Sequence, residues 1–112
     1  MKARKDEVWL IDFGDPIGRE QAGRRPAVVV SVNSLNESQA GVVIVVPITR
    51  SRRNLPSHVE LDPGTSGLSE VSYAKCEDVK SVSEYRLITR TGFIAEEASF
   101  QIRRVLGFLL DM

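Results

Sequence analysis

Between Gly18 and Val30 the chain reads GREQAGRRPAVVV, with an arginine, a glutamate, a glutamine and two more arginines set directly ahead of a β-branched run. A guanidinium is well suited to gripping phosphate oxygens, because it presents parallel N–H donors at a permanent charge. Of these arginines Arg25 is the best placed. It immediately precedes Pro26, which drives its backbone toward extended geometry and launches its side chain from a rigid strand entrance. Thr49 stands just past Pro47, at the end of another apolar run. Its hydroxyl would serve the same anion if the two strands pair in a register that permits it. The alternative is structural: Arg25 pairs with Glu20 and Thr49 caps its strand. Spacing alone leaves both open.

Other chemistries find less support. His58 and Cys76 are the only residues of their kinds and stand far apart, which argues against a zinc site. Asp12 and Asp15 lack the register of a calcium loop. Neither glycine-rich phosphate loop is present, and neither is the strand–Ser–helix signature of a serine hydrolase. No metal and no cofactor is expected. Cys76, in the middle of an apolar stretch, reads as a small core residue, and His58 on these grounds is a surface strand residue.

The elements that must position the candidate residues follow from periodicity. Val8–Phe13 is nearly all apolar, with Trp9, Ile11 and Phe13 on one face and Val8 and Leu10 on the other, as in a strand covered on both sides. The Gly- and Pro-rich stretch 14–26 is a loop, and Pro26 fits the first position of the strand behind it. Residues 33–39 form a polar connector and 41–48 a third strand, followed by a basic loop. Residues 58–61 alternate as a short fourth strand. Residues 71–82 read as one long strand, with Val71, Tyr73 and Val79 on one face and Ala74, Cys76 and Val82 on the other; residues 89–94 form a last short one. The period then changes. Ala98, Ile102, Val105, Leu106 and Leu109 fall on one helical face, with Glu96 and Glu97 in the first turn and Arg103 and Arg104 later, the order a helix dipole favours. Five or six short strands closed by one helix predict a mainly β (α+β) fold, a small bent sheet or barrel. Phe108 and Leu110 are left over as a second apolar surface, suited to a dimer.

Composition sets the outer bounds. The chain has 112 residues, 42% of them apolar and 27% charged, enough for a single domain over residues 1–112 with one proper core. Its longest apolar runs are too short to span a bilayer, and its N-terminus does not read as a signal peptide. With one cysteine and therefore no internal disulfide, a cytoplasmic location without membrane contact is expected. Net charge is zero, which excludes a globally basic nucleic-acid binder. Yet residues 19–53 carry six arginines against two acids, a local excess able to bind phosphates.

At the level of motifs the chain resembles the MazF/PemK family of toxin endoribonucleases, in order and over nearly its full length. VWLIDFGDPIGREQAGRRPAVVVS is similar to the family's opening strand, its G-x-E-Q-x-G-x-R-P loop and the strand behind it. VVPITR, LPSHVEL and YAKCEDVKSV are similar to the elements that follow. The resemblance implies an SH3-like β-barrel with a C-terminal helix, shared with the gyrase poison CcdB, and a homodimer. It implies metal-independent, sequence-specific cleavage of single-stranded RNA, and a cognate MazE-like antitoxin whose disordered acidic tail occupies the same groove. The family's catalytic arginine and threonine fall on Arg25 and Thr49. Glu20 is the third catalytic candidate, as acceptor of the 2′-OH proton or as a positioning group for Arg25. RNA contacts are implied at Gly18, Arg19, Gln21, Arg24, Arg50, Ser51, His58, Glu77 and Asp78. The route implied is attack by the ribose 2′-OH on the adjacent phosphate, leaving a 2′,3′-cyclic phosphate and a 5′-OH. Arg19 stands where the family often has serine, and Glu77-Asp78 where it often has Glu-Gln or Asp-Gln. These differences bear on the cut-site sequence rather than on the chemistry. The rival reading is a non-enzymatic, CcdB-like gyrase poison on the same fold.

Overall fold

A computed structural model describes residues 2–14 and 23–112. Seven strands form one antiparallel sheet: β1 (Glu7–Asp12), β2 (Arg24–Val29), β3 (Val42–Thr49), β4 (His58–Leu61), β5 (Ser72–Lys75), β6 (Lys80–Ser83) and β7 (Leu87–Phe93). Their order is β4-β5-β3-β2-β1-β7, with β6 also paired to β3. The expected β fold is therefore present. The sheet is bent but open, with β4 and β7 at its ends, so "barrel" describes its curvature and not its closure.

Alternation sends side chains to two cores. Val8, Val28, Val46, Ile48, Val59, Leu61 and Ala74 pack on one face, beneath Ile102 of helix α2 (Glu96–Leu109). Trp9, Ile11, Phe13, Ala27, Val29, Val43 and Val45 pack on the other. The period-2 reading of the first strand thus holds on both sides. In α2, Ala98, Ile102, Val105 and Leu106 face the core as the helical spacing predicts, but Leu109 is 40% exposed. Arg103 and Arg104 fall mid-helix, and the last turn carries no basic residue.

Three expectations need correction. The polar connector after β2 contains a short helix, α1 (Asn33–Asn36), anchored by buried Asn36, whose Nδ2 donates to the Ser31 carbonyl at 3.0 Å. Pro26 is not the first residue of its strand, which begins at Arg24. Its missing N–H is tolerated because the β2–β3 pairing starts only at Ala27. The long strand expected over 71–82 breaks at a 3-10 turn, Cys76–Asp78. On β3 Ile48 faces Ala74 whereas Val45 faces Lys80. Three steps along β3 are thus matched by six along its partner, and the turn holds the surplus. The break also reverses a side-chain assignment: Cys76 joins the helix-side core with Ala74, but Val82 packs in the opposite one.

Candidate active site

The site is built where β2 and β3 part. Their pairing runs Val29↔Val45, Val28↔Val46, Ala27↔Pro47 and stops. Val30 N–H bonds the Ile44 carbonyl, so in the same alternation Pro26 is the next β2 residue to face β3 after Val28, and it lacks the N–H that would extend the ladder. β3 continues on its other edge, where Ile48 and Thr49 pair with Ala74 and Tyr73 of β5. Two residues past the last pair, the β2–β3 register sets Arg25 opposite Thr49. Cross-strand partners share a face, so the arginine and the threonine face the same side of the splay.

A cleft of about 360 Å³ fills this splay, and Arg24, Arg25, Thr49 and Arg50 all line it. Among the described residues no carboxylate does; the remaining polar side chains of its wall are Ser69, Ser72 and Thr91. Arg50 is held only loosely, with its Nη1 3.8 Å from the Glu70 carboxylate on an exposed surface. The Thr49 hydroxyl oxygen accepts the Ser51 amide N–H at 3.1 Å. The strand-cap reading of Thr49 is therefore correct, and it is compatible with chemistry: the cap uses the oxygen's lone pair and leaves the hydroxyl proton to be donated.

The remaining candidates divide. Gly18, Arg19, Glu20 and Gln21 lie outside the described residues. His58, Glu77 and Asp78 form a second group away from the cleft. His58 pairs with Lys75 on β5, two strand spacings or about 10 Å across the sheet from β3. Its imidazole is no surface group: the side chain is 3% exposed, and its Nε2 lies 3.0 Å from Glu77 Oε2. Burial raises the Glu77 carboxyl's affinity for a proton, but its own backbone N–H, the Ser57 hydroxyl and His58 outweigh this and hold it below the usual carboxylate range. Asp78 bonds Lys75 at 2.9 Å. Cys76 is fully buried, and burial followed by the Glu77 charge pushes its thiol up to about 12.

A larger cavity, about 490 Å³ between β4 and α2, holds neither Arg25 nor Thr49. Its charged wall consists of Glu60, Asp62 and Glu97 with no lysine or arginine, the wrong sign for a phosphate. The smaller basic cleft is accordingly the better candidate for holding a phosphate. Ser69, Ser72 and Thr91 reach it from segments far along the chain, and no local spacing marks them. Among the described residues no cluster of three or more His, Cys, Asp or Glu stands ready for a metal ion, and no helix is long and apolar enough to cross a membrane.

Comparison with known proteins adds to this geometry. Residues 4–110 match the family model of the PemK-like, MazF-like toxin of type II toxin–antitoxin systems. Endoribonuclease MazF9 of Mycobacterium tuberculosis is 32% identical, over 97% of either chain. The crystal structure of MazF from Deinococcus radiodurans superposes with a TM-score of 0.84 at 26% identity, covering 100% of this chain and 99% of that one. A MazE–MazF structure from the same organism gives a TM-score of 0.81 at 26% identity, covering 100% and 98%.

Proposed function

The chain belongs to the family of PemK-like, MazF-like toxins of type II toxin–antitoxin systems, and from that premise we propose that residues 1–112 act as a single-domain, sequence-specific endoribonuclease on single-stranded RNA. The observation that carries this reading is Arg25 opposite Thr49 at a cleft that Arg24 and Arg50 also line. Such a cleft fits a phosphodiester, and among its described lining residues no carboxylate or imidazole stands ready to activate a hydroxyl. The nucleophile is assigned to the substrate. The 2′-oxygen attacks the adjacent phosphorus, a new P–O bond closes the 2′,3′-cyclic phosphate, and the bond to the 5′-oxygen breaks. One proton leaves the 2′-OH and one reaches the departing 5′-oxygen.

Arg25 neutralises the charge that accumulates on the phosphorane, and Thr49 donates its free proton to a non-bridging oxygen. A guanidinium is too basic to accept the 2′-OH proton; that task falls to Glu20 or to water, with Glu20 otherwise positioning Arg25. Arg24, Arg50 and Ser51 contact the flanking backbone, and Gly18, Arg19 and Gln21 add further RNA contacts. His58 orients Glu77, and with Asp78 these groups read bases farther along the strand. The chemistry calls for no metal and no cofactor.

A MazE-like antitoxin with an acidic segment would cover the same basic cleft by charge complementarity. The exposed Phe108, Leu110 and Met112 at the end of α2 give a second copy of the chain an apolar surface to cover. Its RNA substrate would place the protein in the cytoplasm. Primer extension on a long RNA digested with purified protein in EDTA tests the proposal. Cuts clustered at one short motif are expected; intact RNA would overturn it.

A further inference from the structure

On the same face of the sheet as Arg25 lies a second basic pocket. It measures about 260 Å³ and is lined by Phe13, Lys80, Ser81, Val82, Ser83 and Arg86. Its position relative to the cleft follows from the register. Ile11 pairs with Arg25, so Phe13, two residues on, is a diagonal neighbour of Arg25 at about 7–8 Å between Cα atoms on the same face. Lys80 pairs with Val45 of β3, which shares its face with Thr49. The Lys80 ammonium reaches back over the Phe13 ring, 5.6 Å from its centroid.

Among the described residues, Lys80 and Arg86 form no ion pair. Arg86 Nη1 donates to the main-chain oxygen of Asp12, at 3.2 Å. Of the carboxylates nearby, Asp12 accepts the Gly14 amide at 2.9 Å and Glu84 is 3.4 Å from Lys2. Gly14, with φ +78°, lets the guanidinium lie across the chain here: a Cβ on it would stand 3.1 Å from Arg86 Nη1. Two cations side by side, one of them braced on the buried Phe13 ring, make a receptor for a phosphodiester. Their place beside Arg25 and Thr49 aligns that phosphate with the strand held in the cleft.

We propose that Lys80 and Arg86, with Phe13 in the pocket wall, form a second phosphate subsite that holds the RNA strand beside the bond cut at Arg25 and Thr49. This rests on the endoribonuclease reading above. Binding of a fluorescein-labelled, mixed-sequence RNA, made uncleavable by 2′-O-methylation, is measured by anisotropy across a salt series. The double substitution Lys80→Ala/Arg86→Ala weakens binding about tenfold or more. It also makes the slope of log affinity against log salt shallower by about 1, since each phosphate contact on a single strand contributes about 0.7. In cleavage assays the loss falls mainly on KM. Lys80→Arg/Arg86→Lys retains the affinity and the slope, which a packing role would not explain. Should the alanine form fail to fold, Lys80→Gln/Arg86→Gln is held to the same outcome.

Unchanged affinity and slope in the double variant would overturn the subsite while leaving wild-type cleavage intact. Loss of binding to poly-L-glutamate with RNA binding unchanged would overturn it in favour of an acidic protein segment. Wild-type protein that neither binds nor cuts RNA would overturn the endoribonuclease reading itself, and the subsite with it.

Discussion

Arg25 and Thr49 carry the account at the scale of the residue. Removing a preorganised donor aimed at developing charge costs about 10² to 10³ in rate. Arg25→Ala and Thr49→Ala are therefore expected to fold normally and to cleave an RNA oligonucleotide slower by about that factor. Wild-type turnover in either would remove that residue from the mechanism. The carboxylates make a separate prediction. Glu77 and Glu7 both titrate below the ordinary 4.5; at Glu7, as at Glu77, burial opposes the shift, and the Trp9 indole N–H, the Arg4 amide and Arg90 outweigh it. A carboxyl more acidic in the folded state stabilises fully above its unfolded value and loses that contribution as pH falls through the folded one. Thermal midpoints followed from about pH 7 to about pH 3 should fall less steeply below 4.5 in Glu77→Gln and Glu7→Gln than in the wild type. Cys76, its thiol pushed up to about 12 and wholly enclosed, should resist alkylation at neutral pH until the protein unfolds. Its core role was legible from an apolar neighbourhood. The burial of His58 was not, because a single imidazole on an alternating strand looks the same whether it meets water or a carboxylate from a distant turn.

At the scale of the element, what the residue pattern specified was period and what it left open was register. Strand alternation identified both faces of β1, and the 3.6-residue spacing identified the buried stripe of α2. Neither could show β2 and β3 parting after Ala27 and Pro47, which is what opens the cleft, although Pro26 was in plain view. The break at Cys76–Asp78 was hidden for a similar reason: alternation resumes after it, three residues out of step with β3. The turn after β4 shows how tightly such elements lock. Thr91 Oγ1 donates to the Ser66 carbonyl at 3.2 Å, and the Phe93 amide donates to the Thr65 carbonyl at 2.9 Å. A Cβ on Gly92 would come within 2.0 Å of that same Thr65 carbonyl oxygen, a backbone atom that cannot swing aside. Gly92→Ala should therefore destabilise by about 2–3 kcal/mol in denaturant titration. A change below about 0.5 kcal/mol would show that the turn gives way.

At the scale of the whole molecule, a chain of zero net charge sets Arg24, Arg25 and Arg50 around one cleft, and leaves Phe108, Leu110 and Met112 exposed at the end of α2. The first favours a polyanion locally without non-specific attraction globally. The second favours self-association, so sedimentation should report a dimer and Phe108→Glu/Leu110→Glu a monomer; a variant that stays dimeric would place the contact elsewhere. A CcdB-like gyrase poison would need neither Arg25 nor Thr49, and would inhibit supercoiling while leaving RNA whole. The central claim is that the substrate supplies the nucleophile and the protein supplies only charge and hydrogen bonds. The most direct test uses an oligonucleotide carrying the mapped cut motif, with a single 2′-deoxy ribose on the 5′ side of the cut. Wild-type protein is expected to bind this oligonucleotide but leave it whole, while the all-ribose version yields 2′,3′-cyclic phosphate and 5′-OH ends. Continued cutting at the deoxy position would contradict that claim.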